Sequence, residues 1–236
     1  MTHSQTDARP VALVAGASPG LGSALCRLLA NRGFEVAALG REAALAELSQ
    51  ELPNALTLQC DLSRAIDVER AFSTVETRLG PPTLVVYNAH RIELLPFAET
   101  SHELFEQAWR DACFGAFNVA QRALPAMLQR GSGSMLFSGA SSSVRGGRRS
   151  AAFASSKFAL RGLAQSLARE YSSSGIHVAH VVLDGLIWSE RTRARFNPEP
   201  HVCMSAEDVA LAYLSLLEQP RSAWTHELEL KPWRSR

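Results

Sequence analysis

The chain has 236 residues, with 24 lysines and arginines against 23 aspartates and glutamates and a formal charge of +1. So balanced a charge leaves no electrostatic footprint for nucleic acid or a membrane surface. No apolar run is long enough to span a bilayer, and the polar start, residues 2–9, is not a signal peptide. The four cysteines (Cys26, Cys60, Cys113, Cys203) are far apart and form no C-x-x-C pair. They read as buried thiols of a reducing cytoplasm, not as a metal site or a disulfide framework.

The first predicted element is an apolar run, Val11–Ala15, with the length and content of a buried parallel strand. Gly16, Gly20 and Gly22 follow, with Ser18 and Leu21 between them, and a helical apolar pattern covers 24–30. Strand, glycine turn and helix together set free backbone N–H groups and the positive end of a helix dipole against a diphosphate. The glycine spacing is Gly-x3-Gly-x-Gly, with Ala15 ahead of it. This resembles the nucleotide fingerprint of the short-chain dehydrogenase/reductase family, and the resemblance extends over nearly the whole chain.

Further strands are predicted at 36–39, 55–58, Leu84–Tyr87, 135–137, 178–183 and Glu227–Leu230. Amphipathic helical segments separate most of them. This alternation predicts one Rossmann-type α/β domain over residues 1–236, a doubly wound parallel sheet of about seven strands. The second strand ends at Gly40 and Arg41. In such sheets an acidic residue here would bind the ribose 2′-hydroxyl, whereas arginine suits a 2′-phosphate, so NADP(H) is favoured over NAD(H). The resemblance implies that Asp61, followed by Leu62, meets the adenine, and that Asn88 and Ala89 form the core of the family's Asn-Asn-Ala-Gly motif. Tyr87 and His90 replace the flanking residues of that motif.

One long helical stretch is expected over 101–129, with irregularities at Gly115 and Pro125, and another over Ala151–Tyr171. Relatives pair these two helices across a dimer axis, which implies a homodimer or homotetramer. A further helix covers 204–217, begun by Ser205 with Asp208 three residues on. Residues 186–202 lack clear periodicity and stand where the family carries its substrate lid.

The family reduces a carbonyl with a Tyr-x-x-x-Lys pair, a serine and an asparagine. Lys157 fits the lysine, but Phe153 stands at the tyrosine position, Ala140 at the serine position and Ala112 at the asparagine position. Ser138, Ser141, Ser142 and Ser143 are close enough for a small loop adjustment to bring in a hydroxyl. No such rescue exists for the tyrosine, because Phe153 and Lys157 share one helix at fixed i, i+4 spacing. Asp184, with Gly185, puts a carboxyl at the carboxyl edge of the sheet, where ligands bind in such folds. Asp184 is therefore a candidate acid, with His90 a second one; the resemblance further implies that Ser189, near the family's threonine, meets the nicotinamide carboxamide. Arg145, Arg148, Arg149, Arg191, Arg193 and Arg195 crowd the rim and suit a phosphate or carboxylate on a small substrate or its carrier.

Three functions are compatible with these residues. The first is an NADP-dependent reductase with a non-standard acid–base group, acting on an imine or an activated alkene. The second is an NADP(H)-binding pseudoenzyme or scaffold. The third is a non-redox lyase or isomerase using the apolar pocket of Ala112, Ala140 and Phe153.

Overall fold

The structure, a computed structural model, describes residues 9–234. Most of the polar start, 2–8, lies outside the described residues. Seven parallel strands form one sheet in the order β3-β2-β1-β4-β5-β6-β7. They are β1 (Val11–Ala15), β2 (Glu35–Gly40), β3 (Leu56–Gln59), β4 (Leu84–Tyr87), β5 (Gly133–Ser138), β6 (Ile176–Leu183) and β7 (Glu227–Leu230). This is the expected Rossmann-type architecture.

The helices are α1 (Leu21–Asn31), α2 (Glu42–Glu51), α3 (Ala65–Arg78), α4 (His102–Trp109), α5 (Gly115–Arg130), α6 (Ala151–Tyr171), α7 (Glu190–Phe196) and α8 (Ala206–Leu217). Alternation along β1 sends Val11, Leu13 and Ala15 to one face and Ala12 and Val14 to the other. On the first face they join Phe72 of α3, Val119 of α5 and Leu160 of α6. On the second they join Leu25 of α1, Leu48 of α2 and Val209 of α8. Each fully buried leucine or valine contributes about 1.5–3 kcal/mol, so both faces of the central strand must be apolar. That requirement is why β1 is a continuous apolar run.

The chain leaves β1 for β2 on one side and returns through β4 on the other, so a crevice opens at the carboxyl ends of β1 and β4. This switch point fixes where a ligand lies.

The stretch expected as one long helix is divided. α4 passes into a π-helical turn, Arg110–Phe114, before α5 begins. The cause lies in the strand beneath it. The Tyr87 hydroxyl, at the end of β4, donates to the Asp111 carbonyl and occupies the space that a side chain at Gly115 would fill. The irregularity expected at Gly115 thus falls just before it, while Pro125 is accommodated inside α5.

The segment 186–202 also differs from its aperiodic reading. It carries α7, with Ser189 as N-cap accepting from the Thr192 N–H, and Ile187 bridges Met204. α7 is rich in arginine and has no buried residue, so no apolar stripe announces it.

Candidate functional site at the carboxyl edge of the sheet

The turn after β1 is held from three sides. Gly16 N and Ala17 N donate to the Leu39 carbonyl of β2 at 2.8 and 3.0 Å. The Asn88 side-chain amide donates to the Gly16 carbonyl at 3.1 Å. Gly16 has φ +94°, and a Cβ there would sit 2.5 Å from Ala89 N, so both conformation and space demand glycine. A Cβ on Gly22 would lie 2.5 Å from the Gly16 carbonyl oxygen.

Gly20 is the N-cap of α1 and supplies no side-chain cap. Ser23 N and Ala24 N turn back to Ser18 and Gly20 carbonyls, leaving the N–H groups of Leu21 and Gly22 to face the crevice end of α1. Among the expected nucleotide residues, the structure therefore brings together Gly16, Ser18, Gly20, Leu21, Gly22, Asn88 and Ala89. The bare, uncapped helix start fits a diphosphate.

On the adenosine side, Gly40 ends β2 and the exposed Arg41 begins α2, taking part in none of the ion pairs among the described residues. No carboxylate stands at the end of β2. The carboxylate of Asp61 accepts from both the backbone N–H and the hydroxyl of Ser63, at 3.0 and 2.7 Å. The Leu62 carbonyl accepts from buried Asn118 at 3.0 Å. Asn118, which ties α5 to this loop, was missed in the sequence reading, where a lone amide in an apolar helix was the only signal.

On the opposite side, Lys157 is 1% exposed and its Nζ donates to the Ser138 carbonyl at 2.7 Å. Burial pulls its pKa down from the usual lysine value to about 7. The Phe153 ring lies with its centroid 6.0 Å from Nζ, and the His90 ring is 6.2 Å beyond it, tilted by 48°. His90 Nδ1 lies 3.0 Å from the Asn88 carbonyl. The crowded groove wall, and then the Lys157 cation, keep this imidazole below the usual histidine range even though one edge meets solvent. His90 is therefore neutral at pH 7 and a poor proton donor. Ala112 lies buried in the π turn and Ala140 leads into the loop after β5.

All three tyrosine hydroxyls are accounted for away from Lys157. Tyr87 donates to Asp111, Tyr213 is hydrogen-bonded to the Ser138 hydroxyl at 2.7 Å, and Tyr171 ends α6 four turns on. The Ser143 hydroxyl accepts from Ala140 N at 3.0 Å. Of the serines considered as rescuers, Ser141 and Ser142 keep hydroxyls unused by other described residues.

Asp184 requires a correction. The sequence offered it as an acid facing the ligand, but its carboxylate is paired with Arg145 at 2.6 Å and Lys231 at 3.0 Å. Partial burial opposes ionisation, yet the Lys231 and Arg145 hydrogen bonds outweigh it and hold the carboxyl below the usual range. A carboxylate so held has no proton to give near neutrality. Gly185 likewise packs beneath Pro232, whose Cδ would be 2.7 Å from an added Cβ. Both residues fasten the C-terminal segment to the root of α7.

Ser189 stays near the turn, its Cβ 3.6 Å from where a Gly20 Cβ would be. Of the rim arginines, Arg193 pairs with Glu190 and Arg195 with Glu93. Arg148, Arg149 and Arg191 are exposed and take part in none of the ion pairs among the described residues. Arg149 is held at φ +61° in the turn closed by Ser150 and Gly147.

Residues 10–198 match the short chain dehydrogenase family. The 3-oxoacyl-[acyl-carrier-protein] reductase MabA of Mycobacterium tuberculosis is 35% identical over 183 residues, 77% of this chain and 71% of that one. A short-chain dehydrogenase from Rhodopseudomonas palustris superimposes with a TM-score of 0.82 at 32% identity, covering 95% of this chain and 99% of that chain. An actinorhodin polyketide ketoreductase solved with NADPH shares the fold, with a TM-score of 0.86 at 24% identity, covering 95% and 96%. The chain belongs to the short-chain dehydrogenase family.

Proposed function

We propose that this short-chain dehydrogenase is an NADP(H)-dependent reductase that works without the family's tyrosine, on an activated alkene carried by an anionic or carrier-linked substrate. The observation that carries this reading is the pairing of Lys157 with Phe153: a buried lysine of pKa near 7 under a ring without a hydroxyl, with the Tyr87 and Tyr213 hydroxyls bonded elsewhere and Tyr171 at the far end of α6. Arg41 and the absence of a carboxylate at the end of β2 support NADP(H), as does the like-folded ketoreductase solved with NADPH.

When bound, the cofactor supplies a hydride. Gly16, Gly20 and the N–H groups of Leu21 and Gly22 would hold its diphosphate, and Phe153 would keep water from the floor of the pocket. Lys157 Nζ then gives a proton to the substrate carbanion, since an acid of pKa near 7 is suited to transfer at neutral pH. The exposed Arg148, Arg149 and Arg191 make the mouth cationic, which opposes an iminium and favours an anion. An exposed aromatic face of Phe105, Trp109, Phe117 and Phe158 on α4, α5 and α6 supports a homo-oligomer.

The test is NADPH titration, followed by NADPH oxidation with crotonyl-CoA, acetoacetyl-CoA and 2-methyl-1-pyrroline. The enoyl thioester alone should be reduced, and Lys157→Met should abolish its turnover. Tight NADPH binding with no oxidation on any of the three substrates would favour the second reading, a nucleotide-binding protein without turnover. Asp184, locked between two cations, is the observation on that side.

A further inference from the structure

Behind Lys157, on the side away from the crevice, lies a buried group that the proposed reaction does not use. His180 of β6 is 1% exposed, and neither ring nitrogen completes a hydrogen bond among the described residues. A buried polar group without a partner costs on the order of 1–3 kcal/mol, so its retention needs a reason.

Four elements face this ring. Its Nε2 packs against the backbone of Gly139, where a side chain would overlap it. Gly139 directly follows Ser138, whose carbonyl holds Lys157 Nζ at 2.7 Å. Its Nδ1 lies 3.4 Å from Glu227 Oε2 of β7, within ion-pair reach but out of hydrogen-bond alignment. Glu227 is itself gripped through both oxygens by Arg161 of α6, at 2.6 and 2.7 Å. Arg161 follows Lys157 by one helical turn, and Ser143 borders the same spot from the loop after β5. From the partly exposed Arg161–Glu227 pair the groups run inward to His180 and then to the strand end that holds Lys157.

We infer that His180, biased by Glu227, is a positioning residue for Lys157, a polar element behind the cofactor lysine that sets how readily Nζ parts with its proton. Burial, and then the Lys157 cation, keep the imidazole below the usual histidine range, so it is neutral at pH 7. In the tautomer with Nδ1–H toward Glu227, the Nε2 lone pair faces the Gly139 backbone beside Ser138. That dipole stabilises the ammonium, and Glu227 strengthens it. Removing either lowers the affinity of Lys157 for its proton, whereas removing Arg161 unmasks Glu227 and raises it. The inference rests on the reading that Lys157 handles a proton, and its test needs no turnover.

Lys157 and Lys231 are the only lysines in the chain, so carbon-labelled lysine gives two Nζ-adjacent NMR signals, with exposed Lys231 as the reference. In the wild-type protein Lys157 should titrate near neutrality. His180→Phe and Glu227→Gln should each lower its midpoint by roughly half a unit or more, and Arg161→Gln should raise it by a similar amount. In the His180→Phe background the Glu227→Gln shift should shrink by at least about half. Movement of all three variants in one direction, as a loosened fold would produce, overturns the inference. So does an undiminished Glu227→Gln shift in the double variant. Should His180→Phe not fold, His180→Asn takes its place in the double variant, and the opposite signs at half-exposed Glu227 and Arg161 remain decisive. Failure of NADPH to bind the wild-type protein would end the functional reading while leaving the Lys157 titration to stand or fall by itself.

Discussion

The β1–α1 side of the crevice and the α6 side are built from different materials. On the first, shape comes from the backbone: Gly16 is pressed against Ala89, Gly22 against Gly16, and Asn88 ties the turn to β4. On the second, the backbone frame is equally firm, with Lys157 held by Ser138, but the groups lining it are Phe153, Ala140, Ala112 and neutral His90. A grip on a dinucleotide made from N–H groups and glycines resists piecemeal change, because each substitution collides with main chain. Proton chemistry made from side-chain hydroxyls can be exchanged while the fold stands. The contrast explains how a chain can keep its nucleotide turn and hold a different reactive end.

Restoring the missing hydroxyls tests that contrast most severely. Phe153→Tyr with Ala140→Ser should raise ketone reduction by on the order of 10²-fold or more, measured as NADPH oxidation with acetoacetyl-CoA. No gain would mean that the two sides are not in register for hydride transfer. Next in size, Gly16→Ala should cost about 2–4 kcal/mol through strain and main-chain overlap, seen as a lower Tm together with lost NADPH binding. A normal Tm with weak binding would show that the turn is more pliant than its contacts indicate.

Arg41→Glu should cut the preference for NADPH over NADH by roughly 10-fold, read from the two Kd values. The smallest effect belongs to Asp184→Asn, about 1 kcal/mol at pH 7. Because the Asp184 carboxyl is held below the usual range, its contribution is complete above pH ~4 and fades as pH falls through its lowered value. The gap between the melting curves of wild type and variant should therefore be full at pH 7 and shrink as the pH falls below about 4. The pH profile of turnover should not move. A lost limb in that profile would return Asp184 to the chemistry.

The fold was legible because its signals are local. The glycine spacing after Val11–Ala15 and the strand-length apolar runs depend on neighbours in sequence, and the strands lie where those runs fall, within a residue or two. What could not be read depends on distant partners. The π turn at Arg110–Phe114 is met by the Tyr87 hydroxyl, more than twenty residues earlier in β4. Asp184 looked like a free carboxyl because Arg145 and Lys231 meet it only after folding. His180 sits inside an apolar run, and nothing near it in sequence announces Glu227 or Arg161. α7 escaped notice because its arginines present no apolar periodicity.

The fit of the Tyr87 hydroxyl over Gly115 constrains how this chain can drift. A methyl group at position 115 evicts the phenol, and a phenylalanine at 87 strands the Asp111 carbonyl that the phenol caps. Neither position is free to wander by itself, so a descendant that gave up the π turn would have to trade both residues at once. Deep mutational scanning should reveal them as a coupled pair, each intolerant singly and more tolerant together.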